Sequence, residues 1–219
     1  MASNPQIEGY FEMHIGYYSW KSFVRQRLRY ASQHKISGGA KYMFDKVLHN
    51  GHFVSSSLLN NSKCKVILTL RKPNTTIPSI IKLYEQVDPS HEFCTVRGAS
   101  EYYSRRLKYL NDFSVNLNEF LYYNAESLRE ETDQCLSDIT NFLDLDEPLE
   151  PNFKTQKLTG VGNTGDLSGN LKFSTVKRET TDYSGFAFDS HLLGELESLY
   201  TEVKRNLVRN SLSTQGKSE

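Results

Sequence analysis

The amino-acid sequence predicts an α/β domain built around a central parallel sheet, and three observations carry that prediction. Residues 64–70, CKVILTL, form an almost continuous apolar, β-branched run, the composition of a parallel strand buried on both faces. EFLYYN at 119–124 reads as a second strand. Helical periodicity fills the chain around these runs, and strand followed by helix, repeated, is the order of an α/β fold.

In chain order, Trp20, Phe23, Val24, Leu28 and Ala31 recur at spacings of three and four, which predicts an amphipathic helix over 17–34 with that set as its apolar face. The glycines of SGG at 37–39 are expected to end it. KYMFDKVLHN reads as a short strand leaving into a loop, and HFVSSSLLNN as one or two helical turns. After the strand at 64–70, a polar loop, RKPNTT, leads into the helix IPSIIKLYEQ, with Pro78 near its first turn and Ile77, Ile80, Ile81 and Tyr84 on one face. DPSHEFCTVRG is an exposed connection. A helix at about 98–115 turns Tyr102, Tyr103, Leu107, Leu110 and Phe113 inward, and ETDQCLSDITNFLDL does the same with Leu136, Ile139, Phe142 and Leu143. Residues 151–185 are rich in Gly, Thr, Ser and Asn without apolar periodicity, the character of a long loop that is either functional or disordered. A long helix over 187–210 follows, striped with Leu192, Leu196, Leu199, Val203 and Leu207. The expected organisation is a single domain over 1–210 with a flexible tail at 211–219.

Composition narrows the function. With 26 basic and 26 acidic side chains in 219 residues, the formal net charge is zero, which argues against a nucleic-acid-coating surface. No run approaches the ~18 apolar residues of a membrane span. Cys64, Cys94 and Cys135 show no CxxC or CxH pairing, so a reducing, cytoplasmic setting with structural thiols and no zinc site is expected.

The strongest local signal for chemistry lies at 70–79. A buried parallel strand ends in Arg71, and a helix begins about six residues later with Ser79 expected inside its first turn. Ligands of open α/β sheets bind beyond the carboxyl ends of strands, where helix N-termini offer N–H groups to anions. The Arg71 fork and the Ser79 hydroxyl add donors suited to a phosphate. TGVGNTGDLSGN at 159–170 fails the Walker and dinucleotide patterns and reads as a flexible loop or as a lid over an anionic ligand. For proton chemistry the candidates are Glu12, flanked by aromatic residues in GYFEMH, and His49 in DKVLHNGH, with Lys46 shortly before it. His14, His52, His91 and His191 show no metal-ligand spacing.

Taken together, these segments resemble the sulfotransferases that use 3′-phosphoadenylyl sulfate (PAPS), in their bacterial and tyrosylprotein-type branch. KCKVILTLRKPNTTIPS is similar to the family's strand, Arg and Ser eight residues later, and the resemblance implies that Arg71 and Ser79 grip the 3′-phosphate of the nucleotide. FLYYNAESLREETDQCLSDITNFLDL resembles its strand, acidic turn and helix, with Asp144 where the family carries Gly. TGVGNTGDLSGN resembles its late Gly-Asp loop, which implies that Thr164, Gly165 and Asp166 cover the cofactor. SNPQIEGYFE resembles the segment that carries the general base, which points to Glu12; a looser likeness to cytosolic members points to His49 as base, with Lys46 stabilising the transferring sulfonate. The implied fold is a P-loop-NTPase-like three-layer domain. The implied activity is metal-free transfer of a sulfonate from PAPS to a hydroxyl or amine of a small molecule or peptide. The family's Pro-x-Ser-Gly-[ST]-[ST] loop for the 5′-phosphosulfate, with its strand, should precede SNPQIEG and is not in the sequence, which implies impaired transfer. The alternative is a non-catalytic module binding adenosine 3′,5′-bisphosphate or an acceptor.

Overall fold

The computed structural model describes residues 1, 3–159, 161, 174–176 and 181–212. In chain order its elements are β1 (Ile7–Glu8), α1 (Trp20–Ala31), β2 (Tyr42–Met43), α2 (Ser56–Leu59), β3 (Ile67–Leu70) and α3 (Pro73–Val87), followed by a 3₁₀ turn (Glu92–Cys94), α4 (Val96–Val115), β4 (Leu121–Asn124), α5 (Ser127–Glu130), α6 (Thr132–Phe142) and α7 (Ser190–Asn210). The protein is mixed α/β, and its described strands pair in two parallel two-stranded sheets, β1 with β2 and β3 with β4. The chain divides into two compact units, Met1–Lys65 with Leu128–Arg178, and Val66–Ser127 with Glu179–Glu219.

In the second unit, β3 and β4 run in register from Ile67 opposite Leu121 to Leu70 opposite Asn124. A parallel pair needs a long crossover, which α3 and α4 supply. Leu68, Leu70, Phe120 and Tyr122 from the strand segments pack with Ile77 and Ile81 of α3, Tyr103, Leu107 and Leu110 of α4, and Leu196, Tyr200, Val203 and Leu207 of α7. The strand at 64–70 is not buried on both faces as its composition predicts. Leu68 and Leu70 are buried while Thr69 is exposed, because one sheet face carries this core and β4 is the only strand paired with β3 among the described residues.

The helix after that strand also starts earlier than its apolar periodicity suggests. Pro73 occupies the first turn, where a missing N–H costs nothing, and the hydroxyls of Thr75 and Thr76 donate to the Lys72 carbonyl at 3.1 and 2.7 Å. Pro78 therefore lies inside α3, and Ser79 lies beyond its first turn. At the start of α4, the Thr95 side chain caps the Gly98 N–H at 3.1 Å. A Cβ on Gly98 would collide with the Glu92 carbonyl, so the close approach of the 3₁₀ turn requires glycine.

In the first unit, α1 buries a different face from the predicted one. Ser22, Gln26 and Tyr30 point inward, whereas Trp20 and Leu28 are each 66 % exposed. Polar anchoring decides the rotation: Gln26 donates to the Met43 carbonyl at 3.1 Å, and the Tyr30 hydroxyl donates to the Glu8 carboxylate. The helix ends at Ala31, capped by Ser32, well before the glycines at 37–39. α6 closes in a Schellman motif, with Leu145 N–H to the Thr140 carbonyl at 3.1 Å and Asp144 N–H to Asn141 at 3.0 Å.

Among the described residues no helix is long and apolar enough to cross a membrane. Cys64, Cys94 and Cys135 are not joined in disulfides. Of the predicted tail at 211–219, residues 213–219 lie outside the described residues.

Candidate functional site

The first unit gathers its chemistry where two extended segments run side by side. The β1–β2 ladder aligns Ile7 with Tyr42, and a parallel bridge aligns Tyr17 with Val54, closed by 2.7 Å hydrogen bonds from Tyr17 N–H to the Phe53 carbonyl and from Ser55 N–H to the Tyr17 carbonyl. Between these anchor points the first segment advances ten residues and the second twelve. The second segment must therefore bulge, and the bulge brings His49 and His52 over the residues after Gly9. Gly9 itself has φ +86°, and a Cβ there would collide with the Phe44 carbonyl oxygen, so glycine is required for the segments to lie this close.

Glu12 sits at the centre. Phe11, Met13, Ile15 and Tyr17 enter one hydrophobic cluster with Tyr30, and Glu12 between them is only 4 % exposed. Its Oε1 lies 4.0 Å from His14 Nδ1 and 3.8 Å from His49 Nε2 and accepts no hydrogen bond. His14 adopts φ +55°, the left-handed region that few residues other than glycine enter. Its ring lies 5.5 Å from that of His52, centroid to centroid. Glu12, His14 and His52 each present a ligand atom, all within 4.8 Å of one another.

Asp45 fixes this arrangement. Its Oδ1 accepts the N–H groups of Met13 at 2.9 Å and Lys46 at 2.8 Å, and its Oδ2 accepts the Tyr17 hydroxyl at 2.5 Å. The residue after Glu12 and the residue that closes the bridge are thus tied to one carboxylate. Burial holds the Asp45 carboxyl above the usual carboxylate range; Tyr17 and the two N–H groups pull it down, and the charge of Glu12 pushes it up. Burial, then the charge of Asp45 and its hydrogen bond, push the Tyr17 phenol far up.

Arg71 and Ser79 belong to the second unit. The Arg71 carbonyl accepts the Tyr103 hydroxyl at 2.8 Å, fixing the chain where it leaves β3. Among the described residues its guanidinium enters no ion pair. The main chain there offers an anion less than the sequence suggests. Lys72 N–H goes to Glu126 Oε1 at 3.1 Å, Pro73 has no N–H, and the Thr75 and Thr76 N–H groups return to the Lys72 carbonyl.

Of the residues singled out from the sequence, the structure joins Glu12 with His49 and positions Lys46 through its main-chain bond to Asp45. Thr164, Gly165 and Asp166 lie outside the described residues. The sequence reading set aside His14 and His52 for want of ligand spacing and passed over Asp45. A trace of the first was present, since His14 is two residues from Glu12. Nothing local marks the return of residues 49–52 to that segment.

No family model, curated protein or solved structure matches the chain.

Proposed function

We propose that the protein is sulfotransferase-like, with a P-loop-like three-layer fold, and acts in the cytoplasm on a small-molecule or peptide acceptor. The observation that carries the reading is the buried Glu12 carboxylate, whose Oε1 accepts no internal hydrogen bond, because a general base needs a free lone pair in a water-poor setting. An oxygen or nitrogen of the acceptor attacks the sulfur of PAPS, its proton passes to Glu12, the bond from sulfur to the bridging oxygen breaks, and adenosine 3′,5′-bisphosphate leaves. His49, 3.8 Å from the same oxygen, is the alternative base. Lys46 is assigned to the transferring sulfonate, and Arg71 and Ser79 to the 3′-phosphate. Three cysteines outside disulfides suit a reducing compartment.

The test has two arms. Calorimetry with adenosine 3′,5′-bisphosphate should show binding that Arg71→Ala weakens at least about tenfold, since a hydrogen bond to a charged group contributes ~1.5–3 kcal/mol. Turnover of radiolabelled PAPS against a panel of hydroxyl and amine acceptors should fall ~10²–10⁴-fold in Glu12→Gln, the usual contribution of a general base. Absence of nucleotide binding refutes the reading. Binding without turnover selects a non-catalytic nucleotide-binding module.

A further inference from the structure

We infer that Glu12, His14 and His52 form a binding site for a borderline divalent cation of the zinc class, with His49 as an adjoining fourth donor. Imidazole and carboxylate are the ligands that such ions take together. The observation that points to a ligand is the Glu12 Oε1 atom, buried in a residue 4 % exposed and accepting no hydrogen bond. A carboxylate in that position ordinarily collects N–H or O–H donors, and the neighbouring Asp45 does so three times.

The distances carry the inference further. Two imidazole nitrogens lie 3.8 and 4.0 Å from Oε1, beyond the ~2.7–3.2 Å of a hydrogen bond. They are nonetheless within the roughly 3–4 Å that separates two ligand atoms sharing a metal with bonds of ~2.0–2.2 Å. The wider separations in the Glu12, His14, His52 trio stay within 4.8 Å, so modest rotation of two imidazoles closes the set around the fixed carboxylate. His14 and His49 side chains are 38 % and 42 % exposed, which gives an ion a path from solvent. The backbone is prepared as well, since φ +55° at His14 holds a strained conformation two residues from Glu12.

Cation binding does not depend on the sulfotransferase reading; only one consequence does. An ion on Oε1 takes up the lone pair that would accept the acceptor proton, so metal binding and base catalysis at Glu12 exclude each other, and the site would act as an inhibitory switch.

The test titrates the full chain, freed of metal by chelator, with Co²⁺ and then Zn²⁺. The expected result is one equivalent of Co²⁺ giving the visible d–d bands of a low-coordinate site, without the thiolate charge-transfer band that Cys64 or Cys94 would add, and displaced by Zn²⁺. His14→Ala or His52→Ala should each weaken binding at least about tenfold, in line with the ~10–100-fold that even outer ligand partners contribute. The double variant should abolish it, and His191→Ala, on an exposed stretch of α7, should leave it unchanged. Circular dichroism checks that the double variant folds, and Zn²⁺ should raise the thermal midpoint of the wild type but not of that variant. Failure to bind one equivalent, or undiminished binding by the double variant, overturns the inference. Nucleotide calorimetry is run separately, so loss of the transferase reading leaves the metal result standing, and the reverse.

Discussion

A carboxylate shielded from solvent has two fates in this fold, and the pair Asp45 and Glu12 illustrates both. Asp45 has its oxygens filled by Met13, Lys46 and Tyr17 and serves as a fastening. Glu12, the more deeply buried of the two, has an oxygen left open beside two imidazoles. Tyr17→Phe tests the fastening, because the ring keeps its place in the cluster while Asp45 Oδ2 loses its donor. Leaving a buried acceptor unsatisfied costs about 1–3 kcal/mol, so urea denaturation should show a loss in that range; a loss below ~0.5 kcal/mol would mean that the bond does not hold the segment. Glu12 was legible from the sequence because aromatic neighbours promise burial. The open oxygen was not, since hydrogen-bond satisfaction depends on residues more than thirty positions away.

For single elements, helix faces were only partly readable. α7 buries the stripe that its spacing predicts at Leu196, Val203 and Leu207, and the Tyr200 hydroxyl on the same face donates to Asn124 at 3.1 Å. α1 does not, because hydrogen bonds from Gln26 and Tyr30 to the β1 and β2 segments fix its rotation and leave Trp20 and Leu28 outside. The end of α6 is a third case. Asp144 stands at φ +49° in the position where a Schellman motif favours glycine, and it also accepts the Lys41 ammonium at 2.7 Å. Exposed pairs of this kind contribute little. Asp144→Gly should therefore hold or raise the thermal midpoint, whereas Asp144→Ala, which keeps a Cβ in the left-handed region without the local bonding of Asp, should lower it by a few degrees. Equal midpoints for the two variants would show that the turn carries no backbone strain.

The molecule as a whole is rich in buried phenols, and this sets its response to alkali. Tyr17, Tyr30, Tyr103, Tyr122 and Tyr200 are buried, and burial pushes each phenol upward, that of Tyr200 to about 12. In the unfolded chain these groups titrate near ~10. Above that value the unfolded state sheds protons that the folded state keeps, so stability is fully present below about pH 10 and falls as pH rises towards the folded values. Urea midpoints measured from pH 8 to 11 should be level at first and then decline above about pH 10, with a smaller decline in Tyr200→Phe. A level midpoint through pH 11 would contradict the burial of these hydroxyls.

By itself the sequence determined the mixed α/β class, the longer helices and the three later strands in their order, and the residue types capable of proton chemistry and phosphate contact, because periodicity and composition are local properties of the chain. Tertiary structure alone decided which face α1 buries, that β3 finds a single strand partner among the described residues, and that His14 and His52 stand within reach of Glu12. Those outcomes depend on pairing between segments far apart in the chain. The unequal advance of ten residues against twelve between the β1–β2 ladder and the Tyr17–Val54 bridge, which swings the histidines over the carboxylate, leaves no mark in either segment alone.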